Sequence, residues 1–162
     1  RMNGMEGFGL LCGHLLGDFI VQNDWMAKNK VNPWPGPRPE PFWDNPDEPT
    51  GMGAEVINAS LAEQFSAKRF AWYRGHLACT VHCLLYTLAV GACAFWWVPG
   101  CGLLVCCLAH WPVDRFRLAG RWMRNVSGQT AFATGPLSPW SVIAVDNTFH
   151  LLTLFVIGVV SL

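Results

Sequence analysis

Three acid–imidazole pairs recur in this sequence at one spacing. His14 is followed four residues later by Asp18 in "HLLGDFIVQ", His110 by Asp114 in "HWPVD", and Asp146 by His150 in "DNTFH". Four residues advance about 400° around a helix, so each pair shares one face a turn apart. Carboxylate and neutral imidazole are usual ligands of divalent transition metals. Gln22 continues the first stripe and offers an amide that could orient a ligand or substrate. His82 adds a further imidazole, and His76, about 120° round the same helix, is a secondary candidate. Acids and imidazoles in such pairs could also hydrogen-bond one another and join helices. Against that plainer role stands the insertion cost of an uncompensated aspartate in lipid, about 2.5–3.5 kcal/mol each. A divalent cation would offset it.

The pairs lie in apolar surroundings. Hydrophobic residues make up 52% of the 162-residue chain and charged residues only 14%, with nine tryptophans. Lys+Arg and Asp+Glu both count 11, so nothing points to nucleic acid. The chain opens on Arg1 with no n-region or small-residue cleavage site, so no signal peptide is expected. Of the seven cysteines, six sit inside apolar runs and Cys101 in a short turn, without paired CxxC motifs, so they read as packing residues.

Four apolar segments predict an all-α membrane protein, a four-transmembrane-helix bundle in one domain, with helices at about 6–22, 74–98, 101–118 and 139–162. The second and fourth have the length of a span; the first and third are short and carry ionisable groups. "VPGCG" (Val98 to Gly102) turns helix two into helix three, and Trp96 and Trp97 before it suit an interfacial belt. Between helices one and two lies an insert, 23–73, with seven of the eleven prolines between Asn32 and Pro49. Its last part, "AEVINASLAEQFSAKRF", repeats apolar residues at Ile57, Leu61 and Phe65 and predicts an amphipathic surface helix.

Basic residues set the orientation. Arg115, Arg117, Arg121 and Arg124 follow helix three without an acid after Asp114, and Lys28, Lys30, Arg38, Lys68, Arg69 and Arg74 lie in or beside the insert. With four spans both groups fall on one side, which the positive-inside rule makes cytoplasmic. Counted inward from that side, the acids and imidazoles of all four helices fall within roughly 10 Å of height. The sequence therefore predicts one polar layer in the cytoplasmic half of an integral membrane protein, with a bacterial inner membrane as the expected location.

"GHLLGDFIVQNDWMAKNK", "CTVHCLLYTL", "HWPVDRFRLA" and "DNTFHLLT" resemble the four signature blocks of a bacterial and phage family of small membrane proteins, domain of unknown function 3307. The resemblance covers all four expected helices and the start of the insert. It implies polar family positions at His14, Asp18, Gln22, His82, His110, Asp114, Asp146 and His150; His76 is outside the pattern. It implies no activity. The His/Asp architecture is also similar to small membrane proteins described as metal-dependent hydrolases.

Three functions compete. In a metal-dependent hydrolase acting from the cytoplasmic leaflet, His14, Asp18, His82, His110, Asp146 and His150 would hold one or two ions of zinc, manganese or iron. Asp114 would be general base or ligand-orienting residue, with Gln22 at the mouth. Arg115 and Arg117 would bind a phosphate or a headgroup, or simply anchor the loop. In a proton or metal pathway the same groups would form a relay, although "LLTLFVIGVVSL" and "TLAVGACAFWWV" carry no charge to continue it. In a non-catalytic membrane component the metal would be structural, and Trp34, Phe42 and Trp43 would make the insert a docking arm for a protein partner. Haem held by two histidines fits poorly beside three carboxylates.

Overall fold

Long proline-free apolar runs leave the backbone one way to satisfy its own polar groups away from water, the α-helix. The computed structural model describes residues 4–38, 52–94 and 97–160, and these are helical without a strand. Helix α1 (Gly4–Leu15) runs on as a π-helical segment, Leu16–Val21, and α2 (Asp24–Asn29) follows, capped by the Asn23 side chain accepting from the Met26 N–H at 2.9 Å. Then come α3 (Met52–Ala94), α4 (Gly100–Arg115), α5 (Leu118–Asn125), α6 (Thr130–Thr134) and α7 (Trp140–Val160).

Helix α1 lies against α3 because one stripe of it has no side chains. Gly9, Gly13 and Gly17 recur every fourth residue. A Cβ at Gly13 would stand 2.6 Å from Val90 Cα, and one at Gly17 would stand 2.5 Å from the Tyr86 ring. Such a small-residue face lets two backbones meet closely without a hydrophobic driving force. Leu10, Tyr86, Val90, Ala94, Val98, Cys106, Leu154 and Ile157 then close an apolar core contributed by α1, α3, α4, α7 and the turn before α4. The outward faces are apolar too, with Phe8, Leu84, Leu88, Leu104, Leu108, Phe155 and Val156 more than half exposed.

Three helical stretches are long and apolar enough to cross a membrane: Gly4–Val21, Val56–Ala94 and Trp140–Val160. The expected third span is shorter than anticipated. Helix α4 has 16 residues and stops at Arg115, since Arg117 adopts the left-handed conformation (φ 51°, ψ 48°). The expected basic loop is partly helical, holding α5. The surface helix at the end of the insert and the second span are one continuous 43-residue helix, because no proline interrupts 52–94. The start of the insert folds back on the bundle. Met26 is buried, Asn32 Nδ2 donates to the Ala71 carbonyl at 2.9 Å, and Trp34 packs edge-on against Trp72. Most of the proline-rich stretch, with Phe42 and Trp43, lies outside the described residues. All seven cysteines are free.

Candidate metal centre

Below the apolar core the same helices bring their polar groups to one point. His82 from α3 and His110 from α4 face each other with Nε2 atoms 3.1 Å apart. Both nitrogens reach Asp114 Oδ2, at 3.0 and 3.2 Å, and Asp18 Oδ1, at 3.3 and 3.6 Å. His150 from α7 stacks on His110 with ring centroids 3.8 Å apart. Its Nε2 lies 3.4 Å from Asp114 Oδ1 and 3.4 Å from Asp146 Oδ2. Three imidazole nitrogens and three carboxylates thus converge from four segments.

Asp18 reaches this point from the π-helical segment, a feature that often marks functional sites. Asp114, expected near the cytoplasmic edge as a general base or ligand-orienting residue, is the hub of the cluster and almost fully buried. Lys30 donates to its Oδ2 at 2.8 Å. Burial alone would pull the Lys30 ammonium down, but the Asp114 carboxylate outweighs it and holds the group above the ordinary lysine value.

His14 stands to one side. Its Nε2 meets Asn147 Oδ1 at 2.8 Å, and its Nδ1 meets the Tyr86 hydroxyl at 3.0 Å and Asp18 Oδ2 at 3.4 Å. Gln22 leaves the helix in extended backbone, and its buried Oε1 has no hydrogen-bond partner among the described residues. His76 belongs elsewhere, stacked on Trp111 and accepting from Arg115 Nε at 3.3 Å. Lys30, Tyr86 and Asn147 are site residues that spacing did not single out. Tyr86 stands one turn after His82 and Asn147 beside Asp146, so both shared a face or a neighbour with a chosen residue.

The donor set fits a cation. Asp18–His110–His150, His82–His110–Asp114 and Asp114–Asp146–His150 each place their ligand atoms within 4.8 Å of one another. Among the described residues Asp18 Oδ1 and His150 Nε2 are buried and held only by the ion-pair contacts at 3.3–3.6 Å, with no well-aligned hydrogen bond. Buried polar atoms with incomplete hydrogen bonding are costly, and atoms of ligand type that converge in this way would be satisfied by an ion.

Among the described residues these observations define a helical protein with three helical stretches long and apolar enough to cross a membrane and a buried His/Asp cluster able to hold a metal ion. No family model, curated protein or solved structure matches the chain.

Proposed function

We propose that the chain is an integral membrane protein of the kind its four sequence blocks resemble, with α4 as a short fourth span and both basic regions cytoplasmic. Its His/Asp cluster holds a divalent transition metal (zinc, manganese or iron) and serves hydrolysis from the cytoplasmic leaflet. One observation carries the reading: His82, His110 and His150 turn their Nε2 atoms to the same point as Asp18, Asp114 and Asp146. Charge favours one ion over two. Three carboxylates against the Lys30 ammonium leave two negative charges beside neutral imidazoles, which one divalent cation balances.

When bound, such an ion supplies a water acidified toward neutral pH and a Lewis acid for the scissile bond. Asp114, His110 and His150 each belong to two of the three ligand groups and are the residues most suited to hold it. Lys30 fixes the Asp114 carboxylate through Oδ2. Asn147 and Tyr86 set the His14 ring, which in turn positions Asp18. Asp146, the most open of the three carboxylates at 31% exposed, lies where a substrate would arrive and suits the proton-accepting role. The core of Leu10, Val90, Leu154 and Ile157 seals the other side, which favours catalysis over a transmembrane pathway.

Elemental analysis of purified protein tests the metal. About one equivalent is expected in the wild type and almost none in His110→Ala. His14→Ala should keep most of it, since His14 stands outside the three groups, and His76→Ala should keep all of it. Equal losses from His14→Ala and His110→Ala, or no metal in the wild type, would sink the assignment.

A further inference from the structure

Three arginines cluster on the described surface at helix α5 without an ion-pair partner among the described residues. Arg117, Arg121 and Arg124 are exposed, and none forms an ion pair or side-chain hydrogen bond among the described residues. They sit where three cavities meet at helix α5. One, of about 350 Å³, runs inward past Arg117 and Arg124 to Lys30, Asp114 and Asp146 of the metal cluster. A second, of about 480 Å³, is lined by all three arginines and by Arg115. The third, of about 680 Å³, is an apolar groove between α4, α5 and α7, with Arg121 at its rim and Trp122, Phe149, Leu152 and Val156 in its walls.

Helix α5 explains the junction. Leu118 and Trp122 turn to the groove, Ala119 and Gly120 to the inward cavity, and Arg121 lines the groove and the arginine-lined cavity alike. Arg117 holds a left-handed backbone that a non-glycine residue adopts only at a cost, which points to use of its side chain.

We propose that this junction binds a membrane lipid bearing a terminal phosphate, and that such a lipid is the substrate of the metal centre. The phosphate sits on Arg117 and Arg124, whose planar forks match its oxygens. The acyl chain lies in the groove, which opens where bilayer chains are available and offers almost wholly apolar walls. A free phosphate would use the arginines but leave the groove without purpose. The substrate assignment rests on the metal-dependent reading above. In the reaction, the oxygen of water forms a new P–O bond, the P–O bond to the lipid breaks, and a proton of water ends on the departing alcohol. The products are inorganic phosphate and the lipid alcohol.

Binding is measured on the full chain in detergent micelles by native mass spectrometry, titrating dioleoyl phosphatidic acid, dioleoyl phosphatidylcholine and inorganic phosphate. Phosphatidic acid should bind about tenfold or more tightly than phosphatidylcholine, and Arg117→Gln/Arg124→Gln should remove most of that preference. Val156→Trp, which fills the groove, should weaken phosphatidic acid and leave inorganic phosphate unaffected. Equal affinity for the two lipids overturns the proposal, as does an unchanged preference in the arginine variant. Inorganic phosphate binding as tightly as phosphatidic acid would place a free ion there and overturn it too. Metal content measured on the same samples separates the two readings. Lipid preference in a metal-free protein upholds the lipid site while the hydrolase reading falls; metal without lipid preference does the reverse.

Discussion

Lys30→Met is the most informative single change, because it removes a charge from the cluster without removing a ligand of any of the three groups. Lys30 Nζ lies 2.8 Å from Asp114 Oδ2, with side chains 15% and 2% exposed. Breaking a buried pair by deleting one partner costs about 3–5 kcal/mol, most of it from the charge left behind. Here His82, His110 and His150 keep nitrogens at 3.0–3.4 Å from the same carboxylate, so the loss in metal-free protein should be nearer 2 kcal/mol. With a divalent ion at Asp114 the variant's cluster carries one net negative charge instead of three, and the loss should fall below about 1 kcal/mol. Since 1 kcal/mol corresponds to roughly 2–4 °C for a chain of this size, the variant should melt about 4–8 °C lower in chelator and within about 4 °C of wild type with metal. Thermal unfolding in detergent micelles, followed by circular dichroism, reads both. The lysine's pKa is raised in the folded protein, so its contribution is fully present below the ordinary lysine value and lost as pH rises through the higher one. Measurement at pH 8 therefore sees the whole pair. Equal losses with and without metal would refute the idea that an ion shares Asp114 with Lys30.

Two further outcomes test the fold. Gly13→Leu should separate α1 from α3, because its Cβ alone meets the Val90 backbone at 2.6 Å, and destabilise the protein by about 2 kcal/mol or more; wild-type thermal stability would refute the close approach. Single cysteines at Arg121 and Pro37, in a background without the native cysteines, should react with a membrane-impermeant thiol reagent only from the cytoplasmic side. Reaction of either from outside would overturn the proposed orientation.

What the sequence made legible were features written in one stretch of chain. The apolar runs marked where α1 with its π-helical continuation and α7 lie, and the four-residue pairing of acids and imidazoles picked out side chains that do meet. Features that depend on distant partners were not legible. Lys30 reaches Asp114 across 84 positions, and nothing local distinguishes it from Lys28, whose carboxylate partner Asp24 is on the surface. The hub position of Asp114 depends on how three helices rotate toward α4. Some local signals were present and unused. The spacing of Gly9, Gly13 and Gly17 announces a close helix contact, and Leu118, Ala119, Trp122 and Met123 trace an amphipathic face inside a segment read as a loop. The proline-free run from Met52 to Ala94 allowed an unbroken helix, but its change from polar to apolar suggested a boundary that the backbone does not make.

That unbroken helix sets a mechanical scale. Forty-three residues at 1.5 Å each make a rod of about 64 Å, roughly twice the hydrocarbon thickness of a bilayer. With its C-terminal half in the membrane, the other half stands as a mast of about 30 Å, rigidly joined to the wall that carries His82 and Tyr86. A load attached near Met52 would act on that wall as on the short arm of a lever, with α2 and the Asn32–Ala71 contact as its brace.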